Sequence, residues 1–382
     1  MNVTTEISIA GDLTSTPYYE FLTERSRKLA EIFLDYGLAF SIAILGVVTN
    51  ILVIAVYAKQ GFKESVAVSM STIAVWDLIK CLSGVLERFS GVISLFDPIG
   101  AYTWINISTV VFNYLICVSS YVTSVMAAYV AVERCLCVSV PLKVKWLLTP
   151  RITLTACLVI TFGVFGCFAV MFGIYDIVWE WSTTFNATVA VYRMNSFYIQ
   201  HGDPLFKYYN LSGVLWPLAS FVVIVTSTII ITYKLKQGSK FRLRQGASSA
   251  AKEEPSTSQK ENHIDGGKQQ RQLAKKEPKD PEQTLSKRDR QVVKMLLVII
   301  IIYIASLSPR IALFIAKYIV YDYYYLRRLH HLYEFVSHYL WIIDFFNGAV
   351  NFFVFYKMSS SFRSTFHSMF SRNQNASAER ER

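Results

Sequence analysis

Long apolar stretches alternate along the chain with shorter polar segments. Seven of them reach the about 20 residues that an α-helix needs to cross about 30 Å of hydrocarbon. They run roughly Ile32–Ala58, Val66–Leu95, Trp104–Cys137, Ile152–Tyr175, Leu211–Leu235, Val292–Tyr321 and Leu332–Tyr356. These runs are too long, and too free of period-two alternation, for the strands of a membrane barrel. The pattern predicts an all-α membrane protein, a seven-transmembrane helix bundle. It divides the chain into an N-terminal segment 1–31, a helical domain 32–356 and a tail 357–382. Residues 1–31 hold no short apolar core followed by a small-residue cleavage site. The first helix is therefore expected to act as an uncleaved targeting signal.

Composition agrees. The 382 residues are 53% hydrophobic and 17% charged, with a mean hydropathy of +0.35. Soluble domains carry about 25% charged residues, so a cytosolic enzyme, a disordered regulator and a fibre are excluded. The net charge of +11 is unevenly placed. With the N-terminus outside, the inner segments hold 24 Lys and Arg and the outer segments seven. The excess of basic residues inside predicts N-out, C-in topology, and a multi-pass protein of the plasma membrane with the lipid bilayer as its surroundings. Fourteen basic and eight acidic residues fall in 236–290, a stretch rich in Gln, Ser, Pro and Gly. It is expected to be a disordered third cytoplasmic loop, either a basic linker beside an anionic membrane face or a docking and phosphorylation segment. No nucleic-acid module is visible, and nucleic acid is not an expected partner. Glycosylation sequons at Asn2, Asn106, Asn186 and Asn210 fall on the outer side. Asn2 and Asn186 are the expected acceptors, because Asn106 and Asn210 lie close to helix ends.

Charged side chains inside a bilayer are costly, which makes each one a candidate for function. The second stretch holds Asp77, Lys80, Glu87 and Arg88, the third ends in Glu133 and Arg134, the sixth carries Arg310 and Lys317, and the seventh Asp344. Arg88 and Lys317 lie near the outer ends and are expected to snorkel to the headgroups. Asp77 and Lys80 are helix neighbours three residues apart. Asp344, Asn347 and Asn351 share one helical face. Stacked against Asp77, that face predicts a buried polar cluster suited to water or a cation.

Taken in order, the motifs resemble those of rhodopsin-like (class A) G-protein-coupled receptors over almost the whole chain. Gly46-Val-Val-Thr-Asn50 is similar to the first-helix signature, and Asp77 to the second-helix Asp. Glu133-Arg134-Cys135 is similar to the acidic-Arg-Tyr triplet. Pro217 and Pro309 match the helix-bending prolines, and Asn347 through Asn351 and Phe355 the seventh-helix motif. Ser361-Phe362-Arg363 looks like the start of a short amphipathic eighth helix inside the cell. The run Glu133–Lys145 with Thr149-Pro150-Arg151 is similar to invertebrate, mollusc-like orphan receptors of the peptide or chemosensory kind. The resemblance implies a heterotrimeric G protein as partner, activated by outward motion of the sixth helix. It also implies a switch built from Glu133, Arg134, Asp289, Asn351, Phe355 and Tyr356, in which Asp289 pairs with Arg134 at rest. Asn50, Asp77, Thr123, Asn347 and Asn351 match a polar core that holds a sodium ion in the family. The rival is a network of side chains and water, with the Lys80 ammonium supplying the charge.

Several positions depart from the family pattern. Thr109 stands where the family has the third-helix Cys, and 176–210 holds no Cys, so no extracellular disulfide is expected. That loop would then be held by packing, with Trp179, Trp181 and a Tyr-rich rim. Leu307 replaces the sixth-helix Trp, Phe352 the seventh-helix Pro and Phe355 its Tyr.

Ile116, where amine receptors place an Asp, argues against an amine, and a seventh helix without a central Lys argues against retinal. The expected outer pocket is formed by Glu87, Asn113, Ile116, Cys117, Ser120, Arg310, Lys317, Trp341 and Asp344. Its basic groups suit an anionic ligand group and Glu87 a basic one, as on a short peptide or small dissolved chemical. The alternative is that Arg310 pairs internally with Asp344 or Glu87. A receptor-like protein without G-protein signalling is the competing function. A transporter or channel would show inverted repeats or helices broken in matching halves, which are not seen. No nucleophile–base pair or metal-ligand spacing stands out, so enzymatic activity is not expected.

Overall fold

A computed structural model of the chain describes residues 23–140, 146, 148–250, 287–323 and 327–369. Within them, seven helices are long and apolar enough to cross a membrane. They are α1 (Arg25–Gln60), α2 (Ser65–Ile93), α3 (Pro98–Ser139), α4 (Pro150–Gly173), α5 (Ser196–Ala250), α6 (Lys287–Ile319) and α7 (His330–Met358). An eighth helix, α8, covers 360–369. The molecule is a seven-helix bundle.

The helices start earlier than the apolar runs, because caps rather than hydropathy set their ends. The Thr23 side chain accepts from the Ser26 amide before α1. Asp97 accepts from Ile99 and Gly100, with Pro98 in the first turn of α3. Asn195 Oδ1 accepts from Tyr198 N before the first turn of α5. At its other end α5 continues past Leu235 to Ala250. The first part of the segment expected to be disordered is thus helical, and no Pro interrupts that sequence before Pro255. Residues 251–286 of that segment, and Asn2, expected as a glycan acceptor, lie outside the described residues. Pro217 and Pro309 sit inside helices, as does Pro204. Each lacks an amide hydrogen for the ladder.

α3 is the central helix. Of its most apolar 18-residue window 72% is buried, against 22% for α4 and 28% for α5. Exposed Val159 and Phe162 on α4 and Ile229 and Tyr233 on α5 therefore read as lipid-facing. α8 lays Phe362, Phe366 and Met369 on the core, an i, i+4, i+7 stripe. It is tied to α1 by Gln60 Nε2 to Thr365 Oγ1 (3.0 Å) and Lys59 Nζ to Ser368 Oγ (3.1 Å).

One element departs from the all-helical expectation. Between α4 and α5, β1 (Tyr175–Ser182) and β2 (Ala187–Met194) form an antiparallel hairpin with Trp179 opposite Ala190. Asn186 takes φ 50° at the turn, a left-handed conformation that Asn tolerates. The hairpin docks on α3 by Val189 and Ala190, both buried, and by Phe185 against Tyr102 at 5.2 Å. Trp179 and Trp181, expected to pack, are 61% and 63% exposed. The hairpin is buried through β2 instead, at Val189 and Ala190. None of the six cysteines is joined in a disulfide.

Candidate functional site

Between α2, α3, α6 and α7 lies a small internal cavity of about 20 Å³, room for one or two waters. Its walls include Lys80, Ser120, Thr123, Tyr303, Arg310, Asp344 and Asn347. Three of these lining groups take part in two ion pairs, Arg310 with Asp344 and Lys80 with Asp77.

Arg310 on α6 and Asp344 on α7 form the first pair through Nη2 and Oδ2, both side chains nearly buried. Ser120 Oγ approaches the same Oδ2 at 3.4 Å, and the guanidinium lies over Trp341 at 5.2 Å. Arg310 Nε has no hydrogen-bond acceptor. The internal pairing of Arg310 is thus the arrangement present, and it leaves one buried donor to spare.

Lys80 and Asp77 form the second pair. Lys80 Nζ donates to Asp77 Oδ1 at 2.7 Å, and Asn351 Nδ2 donates to Oδ2 at 3.2 Å. Asp77 is 0% and Lys80 1% exposed. Asn50 bridges α1 to α7, donating to the carbonyls of Gly46 (2.8 Å) and Gly348 (3.0 Å). Thr123 Oγ1 is spent on the Ser120 carbonyl, 3.1 Å away. The side-chain oxygens of Asn50, Asn347, Asn351 and Tyr303 have no protein partner. Those oxygens suit a hard cation, but the charge does not. The Lys80 ammonium already neutralises Asp77, and a sodium ion would place two cations on one buried carboxylate. The residues present do not fit the sodium ion that the resemblance implied.

Other expected pocket residues fall elsewhere. Ile116 is fully buried in a cluster with Cys81, Ile342 and Phe345. Its side of α3 packs on α2 and α7, so it does not face the cavity. Cys117 is buried and accepts from the Tyr209 hydroxyl at 3.8 Å. Asn113 is half-buried in a π-helical turn, Thr109–Asn113. Lys317 lies over Phe314 at 4.8 Å and near Asn210 Oδ1 at 3.4 Å. Glu87 pairs with Arg88 at 3.4 Å. Neither Glu87 nor Lys317 lines the cavity. Arg88, expected to snorkel, is 4% exposed and pairs with Asp35 of α1 at 2.6 Å, with Phe345 under its guanidinium. A carboxylate from α1 was the partner missing from the sequence argument, because Asp35 sits in a stretch read only for its apolarity.

At the opposite end, Glu133 is buried and held by three hydroxyls. Ser65 (2.6 Å), Tyr129 (2.9 Å) and Thr153 (3.1 Å) all donate to its Oε1. Arg134 Nη2 reaches Oε2 at 3.4 Å. The hydroxyl clamp joins α2, α3 and α4, and no sequence motif announces it. The side chain of Asp289 lies outside the described residues, as does any pairing with Arg134. Phe355 packs edge-on against Tyr57 at 5.6 Å, and Tyr356 OH meets His367 Nε2 of α8 at 3.1 Å. Gln291 Nε2 donates to the Met358 carbonyl at 2.7 Å, closing α6 onto α7. Asn186 is exposed at the hairpin turn, whereas Asn106 is buried and donates to the Tyr102 carbonyl.

The chain matches the family described as serpentine type 7TM GPCR chemoreceptor Srw over residues 37–260 and 268–373. Among curated proteins no match is found. The family match covers most of the chain and reaches all seven helices. The chain belongs to the Srw family of serpentine G-protein-coupled chemoreceptors, and it is a multi-pass membrane protein.

Proposed function

We propose that this Srw-family protein is a plasma-membrane receptor with the hairpin and N-terminus outside. It binds a short peptide or small chemical bearing an anionic group, and it activates a heterotrimeric G protein by outward motion of α6. The observation that carries this reading is the Arg310–Asp344 pair across α6 and α7 above the cavity. A carboxylate on the ligand competes with Asp344 for the guanidinium, helped by the unfilled Arg310 Nε donor. Releasing Asp344 unties α6 from α7 and offers Lys80 a second carboxylate across the cavity. Such a ligand gives the differential affinity that a population shift requires. Moving the resting state from 1:99 to 99:1 takes about 5.5 kcal/mol.

At the inner end Arg134 is held by Glu133 and α6 is closed on α7 through Gln291, which suits a resting state. The rhodopsin-like likeness of the helix motifs supports the same mechanism. In this reading no sodium ion takes part, since Lys80 supplies the charge beside Asp77. A second reading, a receptor-like protein without G-protein signalling, is favoured by Leu307, Phe352 and Phe355 at switch positions.

Cyclic AMP and calcium output in cells expressing the chain, screened against carboxylate metabolites and short peptides, tests the reading. The expected result is a response abolished by Arg134→Ala and moved to higher ligand concentration by Arg310→Ala. A surface-expressed chain with no response to any ligand, and no change of basal output in Asp344→Asn, would overturn it in favour of the second reading.

A further inference from the structure

We propose that His330, His331 and Glu334 form a binding site for a transition-metal ion, Zn²⁺ foremost, at the hairpin end of α7. The two imidazoles open the helix and the carboxylate follows one turn on. One ligand atom from each lies within 4.8 Å of the other two. His330 Nε2 and Glu334 Oε1 are already 3.5 Å apart. Tetrahedral Zn²⁺ with bonds of about 2.0–2.2 Å sets neighbouring ligands about 3.4 Å apart. One pair therefore stands at ligand spacing, and side-chain rotation of His331 closes the other two edges.

Two imidazoles and one carboxylate, with water in the fourth position, are ligands that zinc accepts. They disfavour Ca²⁺ and Mg²⁺, which take oxygen ligands. Arg27 of α1 gives the carboxylate its orientation. Its Nη1 holds Glu334 Oε2 at 2.9 Å, leaving Oε1 turned toward the imidazole. Glu31, 3.4 Å from the same guanidinium, offsets the positive charge that Arg27 brings to the site. Side chains of His330 and Glu334 are 20% exposed, so an ion can enter and exchange. A bound metal would fix the first turn of α7 and, through Glu334 and Arg27, tie it to α1. The site is separate from the Arg310 cavity and stands whether or not the proposed ligand chemistry does.

The test uses the purified full-length chain in detergent. Thermal unfolding is followed with Zn²⁺, with Mg²⁺ or Ca²⁺, and with Zn²⁺ plus chelator. The expected result is an unfolding temperature that rises with Zn²⁺, falls back with chelator and ignores Mg²⁺ and Ca²⁺. His330→Ala and His331→Ala should each remove the rise. Arg27→Ala keeps all three ligands and should retain it at higher Zn²⁺. Equilibrium dialysis of Zn²⁺ gives an independent reading, with one ion per chain lost in the His330→Gln, His331→Gln double variant. No rise in the wild-type chain, or a rise and stoichiometry unchanged in the double variant, would overturn the proposal.

Discussion

Replacing Lys80 by Met takes the ammonium away from a carboxylate that has no solvent exposure. Asp77 then keeps a single donor, Asn351 Nδ2 at 3.2 Å. Breaking a buried ion pair from one side costs about 3–5 kcal/mol, because the remaining charge is stranded. Removing both charges, with Lys80→Met and Asp77→Asn together, should cost much less. The two changes share one interaction and are expected to be strongly non-additive. Sodium supplies the second arm. The Lys80→Met cavity regains a net negative charge beside the partnerless oxygens of Asn347 and Asn351. It should then take up Na⁺ and be stabilised in proportion to RT ln(1 + [Na⁺]/Kd). The assay is thermal unfolding of the detergent-purified chain in sodium chloride and in choline chloride at equal ionic strength. Wild type should be indifferent to the exchange, and Lys80→Met should be stabilised by sodium. A wild-type sodium response that Asp77→Asn abolishes would refute the reasoning. So would a Lys80→Met chain as stable as wild type in both salts.

Three further outcomes follow from particular contacts. Glu133→Gln removes a charged acceptor of three hydroxyls; at about 1.5–3 kcal/mol for a hydrogen bond to a charged group, loosening of α3 should raise basal second-messenger output, and unchanged output would count against the clamp as a restraint. A Cβ at Gly46 would collide with the Cys81 thiol, so Gly46→Ala should lower stability by about 1–3 kcal/mol; adding Cys81→Ala should return most of it in the same unfolding assay. Asn186→Gln should reduce a glycan-dependent gel-mobility shift by one step while Asn106→Gln leaves it intact, because Asn186 is exposed at the hairpin turn and Asn106 is buried.

The seven helices were legible because crossing hydrocarbon demands long apolar runs, a property of the chain alone. Their ends were less so, since Thr23, Asp97 and Asn195 act through single local hydrogen bonds that hydropathy does not register. The hairpin carried little pattern to read, since only Trp179–Ser182 alternates and β2 holds the apolar run Val189–Tyr192, and the apolar signal on either side outweighed it.

Among the buried charges, the Asp77–Lys80 pair was determined by sequence, because three residues of helix bring two side chains together whatever surrounds them. Partners across helices were decided only by tertiary packing. Arg310 meets Asp344, Arg88 meets Asp35, and Ser65, Tyr129 and Thr153 converge on Glu133. Sequence states which groups are too costly to leave alone in a membrane. Which partner satisfies each depends on helix rotation and register, and those are set by the packing of all seven helices together.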